Sequence, residues 1–241
     1  MKTKFVRSTI CLLVALLSVS GMSEMTFAGQ SAPVIQQGPA LDLKIKYYDR
    51  ALSAEGVLRE SHFEETMLRR PGHVWTARVL PKFAKEQHAH EHHDHEERHF
   101  NPTVLPRHVA LDGNVIKLEF VDRSKKEVIN IVASEYENVN FDGSWINAYY
   151  LVDPQQVVTM PLSVKESSVA GAHWYEQEKN GVFQRVLWDQ ENMIPLEVET
   201  GRRDGTMLRK VSVKIISKAS KETPWDNLKG YMQKEYSDFL D

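Results

Sequence analysis

Residues 169–215 constrain the fold most, because short runs of alternating apolar and polar residues are separated there by strong turn signals. Residues 173–177 lead into Asn180-Gly181, a pair that tolerates the positive φ of a two-residue hairpin. Residues 182–188 run into the polar loop 189–193, and residues 195–200 precede a second turn at Asp204-Gly205. Residues 207–215 close the set: Met207, Val211, Val213 and Ile215 are apolar, while Lys210, Ser212 and Lys214 alternate with them. A period of two with one polar face predicts an antiparallel meander with one side on a core or cavity. This frame places no catalytic group.

The first 28 residues read as an address rather than as structure. Lys2, Lys4 and Arg7 are basic, residues 10–19 are apolar but too few to span a bilayer, and Thr26-Phe27-Ala28 offers a small-residue cleavage site. The pattern predicts a cleaved secretory signal over 1–28 and a periplasmic product beginning near Gly29. The single cysteine, Cys11, falls inside that signal, so no disulfide or cysteine zinc site is expected beyond it. Without Lys2, Lys4, Arg7 and Glu24 the formal charge moves from −3 to about −5, which argues against a nucleic-acid surface. The remaining roughly 210 residues suit one domain with a sizeable core. Residues 29–40 read as a polar linker.

Residues 41–54 fit two patterns. Leu41, Leu43 and Ile45 alternate with Asp42, Lys44 and Lys46 as in a strand, yet Leu41, Ile45, Tyr48 and Leu52 share a helical face. The helix is the expectation, because only that pattern continues through Leu52. Residues 57–68 and 73–80 read as long strands joined by Arg69-Arg70-Pro71-Gly72. His62 and His73 lie in them and are read as surface or hydrogen-bonded residues. Strands are expected again at 108–111, 115–121 and 126–133. Residues 144–152 read as a short aromatic helix stopped by Asp153-Pro154, serving as core or as a lid. Thr223-Pro224 opens a C-terminal amphipathic helix over 219–241, with Trp225, Leu228, Met232, Tyr236 and Phe239 on one face.

Residues 82–106 interrupt this pattern with His88, His90, His92, His93, His95 and His99 among Glu91, Asp94, Glu96 and Glu97. The bland reading is a solvated loop with nothing apolar to bury. The sharper one is a metal site, since neutral imidazoles at this density suit zinc or copper. His95-Glu96-Glu97-Arg98-His99 also matches the H-E-x-x-H pattern of zinc peptidases. Charged residues at both x positions and Asn101-Pro102 just beyond argue against a buried catalytic helix. No G-x-S-x-G elbow, P-loop or cysteine nucleophile is present. The chain is expected not to be an enzyme and to need no cofactor.

Several short motifs occur in a suggestive order: Arg70-Pro71 before a strand carrying Trp75, Val169-Ala170-Gly171, Leu187-Trp188-Asp189, Ile194-Pro195-Leu196 and Asp204-Gly205. In that order the chain resembles the outer-membrane lipoprotein carrier and sorting proteins (LolA/LolB-like). It also resembles the related N-terminal domain of the sigma-E regulatory protein RseB. The resemblance covers about residues 41–215. It implies a mainly β (α+β) domain over 41–218, a strongly curved antiparallel half-barrel closed by helices over an apolar cavity, with 82–106 as an insertion. It further implies a non-enzymatic protein that binds a lipid, an acyl chain or a lipoprotein, with a membrane-associated protein as a further partner. Leu58, Phe63, Trp75, Val79, Trp145, Tyr149 and Leu187 are the candidate cavity residues. A periplasmic metal-binding or delivery protein using the histidine loop is the alternative, and a metalloprotease the remote one.

Overall fold

A computed structural model describes residues 37–81, 100–217, 220–221 and 223–240. Eleven strands form one sheet in these residues: β1 (Leu41–Leu52), β2 (Leu58–Arg70), β3 (His73–Arg78), β4 (Arg107–Asp112), β5 (Val115–Asp122), β6 (Glu127–Ile131), β7 (Ala172–Lys179), β8 (Val182–Asp189), β9 (Ile194–Arg202), β10 (Met207–Ser217) and β11 (Met232–Glu235). Their order is β11-β6-β5-β4-β3-β2-β1-β10-β9-β8-β7. Every pair is antiparallel except β11 on β6. Two short helices, α1 (Trp145–Tyr150) and α2 (Pro154–Thr159), interrupt the strands. The sheet is open and curved.

The first meander turns where its sequence says it should. Asn180 and Gly181 both have positive φ (53° and 72°), as a two-residue hairpin turn demands. β7 then pairs with β8 from Lys179–Val182 to Ala172–Asp189. Ser144 caps α1 by accepting from the Asn147 amide, and Asp153 caps α2 with Pro154 in its first turn. The aromatic helix expected at 144–152 is therefore present in shortened form, followed by a second one.

Residues 41–52 correct the expectation of a helix. They form an interior strand of the sheet, hydrogen-bonded to β2 on one side and β10 on the other. Leu41, Leu43 and Ile45 are completely or almost completely buried on one face. Their alternation was the true signal, because an interior strand gains two ladders of hydrogen bonds that a helix here would forgo.

One face of the sheet, the inner face, carries the main core. Leu41, Leu43 and Ile45 of β1, Met67 of β2, Val74 of β3, Val109 of β4, Leu118 and Phe120 of β5, and Ile129 of β6 pack beneath Trp145, Tyr149, Tyr150 and Val157 of the helices. The outer face is mostly charged, with Lys44 and Lys46 on Glu64, and Arg185 between Glu176 and Glu199. It carries two smaller apolar clusters, one around Trp75, Val121 and Val128, the other around Ala172, Trp174 and Leu187.

The tail also departs from its expectation. Residues 224–227 and 236–239 are single 3-10 turns, with β11 between them. Trp225, Leu228 and Tyr231 pack on the outer-face cluster around Trp75. Tyr236 and Phe239 pack on the inner-face core, where Phe100 meets Phe120, Tyr236 and Phe239 at 5.2, 5.5 and 5.7 Å. The tail thus clasps the β6 edge from both faces. A helix would put all its apolar residues on one side, whereas here they are needed on two.

Candidate functional site

The strand register builds an apolar row across the inner face. Tyr175 of β7 faces Val186 of β8, Val186 faces Val198 of β9, Val198 faces Val211 of β10, Val211 faces Tyr47 of β1, and Tyr47 faces Phe63 of β2. Six adjacent strands at roughly 4.8 Å spacing give a row about 24 Å long. Val186 is fully buried; the other five are half-buried. Tyr47 and Phe63 stack with ring centroids 4.4 Å apart, and the Arg78 guanidinium lies 3.7 Å over the Phe63 ring.

The row is a boundary. Two residues further along each strand, on the side away from the core, the same face carries Gln177, Gln184, Thr200, Arg209, Asp49 and Ser61 in register. On the other side, Ile45 and Val213 belong to the closed core. The inner face therefore offers an apolar strip walled by packed core on one edge and lined by hydrogen-bonding groups on the other. The Arg209 Nε donates to Asp49 Oδ1 at 2.7 Å within that polar row. Burial, reinforced by the neighbouring Glu65 carboxylate, pushes the Tyr47 hydroxyl well above its ordinary pKa, so it stays protonated and can donate.

The candidate cavity residues do not converge. Trp145 and Tyr149 lie together, ring centroids 5.0 Å apart, inside the closed core. Trp75 and Leu187 point to the outer face, each in its own small cluster. Leu58 and Val79 are 48% and 44% exposed at the sheet's margin. Of the seven, only Phe63 lies on the apolar row. Of the other members, Val198 and Val211 alternate with polar neighbours, whereas Tyr175, Val186 and Tyr47 each adjoin another apolar or aromatic residue, and which residues align depends on register. His88, His90, His92, His93, His95 and His99 lie outside the described residues. So do the secretory signal, most of the 29–40 linker and the H-E-x-x-H match.

Histidines outside that loop do meet. His73 Nδ1 lies 3.0 Å from His108 Nε2, and His108 Nδ1 lies 3.0 Å from Glu119 Oε2. With both rings neutral, the carboxylate on Nδ1 takes the His108 N–H, and His108 Nε2 accepts from His73 Nδ1–H. Trp225 of the tail stacks on both rings, at 4.8 and 5.3 Å. His73 is thus a hydrogen-bonded residue, as read from sequence. Among the described residues no group of three His, Cys, Asp or Glu is arranged to hold a metal ion.

This pair makes the clasp sensitive to acid. Burial, then the neighbouring His108, lowers the His73 pKa below 6.5, outweighing Asp226 and Glu119. The unfolded chain therefore takes up a proton that the folded one refuses, so stability is full above about pH 6.5 and falls below it. Between about pH 7.5 and about pH 5.5 the melting temperature is expected to drop, and less steeply in His73→Phe, which keeps the ring but not the titration. Equal slopes in scanning calorimetry would show that this pair does not govern the drop.

No family model matches the sequence, and no curated protein matches it. Among solved structures the chain is similar to PNGF-II, with 11% identity over 83% of this chain and 33% of that one, at a TM-score of 0.38. It is similar to MucB in complex with MucA(peri), with 14% identity over 78% and 53% at a TM-score of 0.35. A third is an outer membrane lipoprotein-sorting protein domain, so described, from Vibrio parahaemolyticus, with 13% identity over 75% and 87% at a TM-score of 0.28. The chain spans about a third of PNGF-II and about half of MucB. The fold is an open, curved, mainly antiparallel sheet whose inner face is covered by two short helices.

Proposed function

We propose that this chain is an exported, non-enzymatic binding protein that holds a lipid or the acyl chain of a lipidated protein along the inner-face row. The observation that supports this reading is the continuity of Tyr175, Val186, Val198, Val211, Tyr47 and Phe63 across six strands, with a polar row beside them. An acyl chain needs a long apolar strip with little else. Each methylene taken from water contributes about 0.8 kcal/mol. About ten of them would supply roughly 8 kcal/mol, enough for micromolar binding before ordering costs. The export address over residues 1–28 supports a periplasmic setting for such a carrier.

Native mass spectrometry of the protein recovered from its host is expected to show a co-purifying mass in the lipid range. Displacement of a dansyl-labelled fatty acid gives the affinity. Val198→Lys puts an ammonium in the middle of the row and is expected to weaken that affinity at least about tenfold, roughly 1.4 kcal/mol. The far-UV circular dichroism should be unchanged. Absence of any bound or acquired lipid in the wild type would refute the reading; wild-type affinity in Val198→Lys would move the site elsewhere.

A further inference from the structure

The C-terminal segment crosses the outer face before it joins the sheet, and it is pinned at both ends of that crossing. The Ser220 amide donates to Asp42 Oδ2 at 3.1 Å, and the Ser220 carbonyl accepts from Arg70 Nη2 at 3.0 Å. At the other end the Met232 amide donates to the Lys126 carbonyl at 2.8 Å. The arm between these pins, residues 223–231, has no buried residue. Its own backbone hydrogen bonds are two short turns, Asp226 N–H to Thr223 and Tyr231 N–H to Leu228. Trp225, Leu228 and Tyr231 pack on Trp75, Val121 and Val128. Gly230, at a φ of 85°, marks the bend into β11. A segment so exposed, with so few hydrogen bonds, belongs to the part of a fold that opens first.

The arm rests on an imidazole pair. Trp225 lies nearly parallel to both rings, at 9° to His73 and 3° to His108, and the two rings are 11° apart. One indole therefore covers both rings and the 3.0 Å hydrogen bond between His73 Nδ1 and His108 Nε2. The charges around the pair are Glu119 and Lys117 on β5, Arg70 on β2 opposite His73, Arg123 over Trp75 at 5.4 Å, and Asp226 on the arm. Asp42 occupies Arg70, and Asp112 occupies Lys117. One added proton still leaves a donor facing an acceptor. A second makes every ring nitrogen a donor, and two N–H groups then oppose each other across 3.0 Å beneath the indole.

We propose that residues 223–231 form an acid-operated flap: at neutral pH Trp225 is latched on the His73–His108 pair, and protonation of both rings lifts the arm off Trp75, Val121 and Val128 while the sheet stays folded. Burial and the neighbouring His108 hold the His73 pKa below 6.5, against the opposing pull of Asp226 and Glu119. Protons therefore enter the pair more readily once the indole has left and water reaches the rings. The pins outlast the latch. Against the opposing effect of burial, hydrogen bonds from Ser220, Arg70 and Ser217 keep the Asp42 pKa below 3.8, so Ser220 stays held while the arm opens. The opened face presents Trp75 and its neighbours as an apolar patch that neutral pH conceals. This flap is independent of the acyl-binding function proposed above.

Hydroxyl-radical footprinting of the full chain, read by mass spectrometry, reports on each of the five tryptophans separately. Between about pH 7.5 and about pH 5 the oxidation of Trp75 is expected to rise at least about threefold, with Trp225 rising alongside it. Trp145, Trp174 and Trp188 are buried elsewhere and are expected to stay unchanged. His73→Phe keeps a ring under the indole without its titration, and the acid rise is expected to disappear in it. No rise at Trp75 in the wild type would overturn the flap, and so would an equal rise at all five, which is global unfolding. A rise that persists unchanged in His73→Phe would overturn the latch. Should that variant fail to fold, His73→Gln, which still offers an N–H to His108 and does not titrate, takes its place with the same expected and overturning results.

Discussion

Arg69→Met is expected to destabilise the fold by about 3–5 kcal/mol, the largest effect of any single substitution considered. Arg69 is fully buried, yet it carries a charge. Its Nε donates to the Pro39 carbonyl at 3.1 Å, Nη1 to the Met193 carbonyl at 2.9 Å and Nη2 to the Asn192 carbonyl at 2.5 Å. Its Cζ lies 5.0 Å over the Tyr149 ring and 5.9 Å over Tyr150. One guanidinium thus binds the segment before β1, the β8–β9 turn and α1. Burial lowers its pKa somewhat, with Tyr149, Tyr150 and Asp189 opposing that shift, and it stays charged. Methionine fills the volume but leaves three carbonyls unanswered. Lysine fares little better, since one ammonium lacks the fork that reaches three directions. Urea unfolding of wild type, Arg69→Met and Arg69→Lys measures this; a loss under about 1 kcal/mol for both would show that water replaces the guanidinium.

Asp42→Ala comes second, at about 3 kcal/mol, by the opposite route of stranding a charge. Asp42 Oδ1 accepts from Arg70 Nη2 at 2.6 Å, and Oδ2 accepts from Ser217 Oγ at 2.9 Å and the Ser220 amide at 3.1 Å. Arg70 also donates to the carbonyls of Leu41, Arg69 and Ser220. Removing the carboxylate leaves a mostly buried guanidinium without its counter-charge. The pair also sets an acid limit. Burial raises the Asp42 pKa, but hydrogen bonds from Ser220, Arg70 and Ser217 together bring it below its ordinary 3.8. The unfolded carboxylate therefore protonates first. The contribution is present above about pH 4 and is lost as pH falls through the folded value. In Asp42→Asn the fall in stability between about pH 5 and about pH 2 is expected to be shallower than in the wild type. Parallel acid curves would show that Asp42 carries no linked proton.

These two arginines show where sequence reading stopped. Arg69-Arg70-Pro71-Gly72 was legible as a turn, and the chain does reverse at Pro71-Gly72, with Gly72 at a φ of 73°, but Arg69 and Arg70 are the last residues of β2. Nothing in four residues says that both guanidiniums fold back into the interior. Their partners lie 30 or more residues away for Pro39 and Asn192, and 150 away for Ser220. The same holds for Trp75 and Leu187. Each was read as lining the cavity and instead packs on the outer face, because a sheet has two sides and one residue of register exchanges them. The clasp was misread for a related reason. Trp225, Leu228, Met232, Tyr236 and Phe239 match a helical period, and the period alone cannot reveal that the β6 edge offers apolar surface on both faces.

The sequence by itself determined the antiparallel meander, the positions of its hairpin turns, the capped helix near residue 145 and the apolar alternation of almost every strand. Those are local properties, set by backbone sterics and by a period of two. Only the tertiary structure decided that residues 41–52 are an interior strand of the sheet, that the tail closes the β6 edge, and that Tyr175, Val186, Val198, Val211, Tyr47 and Phe63 form one row across six strands. Those depend on which strands become neighbours and in what register. That choice minimises exposed apolar surface and unpaired backbone over the whole sheet at once, and no local stretch of chain contains it.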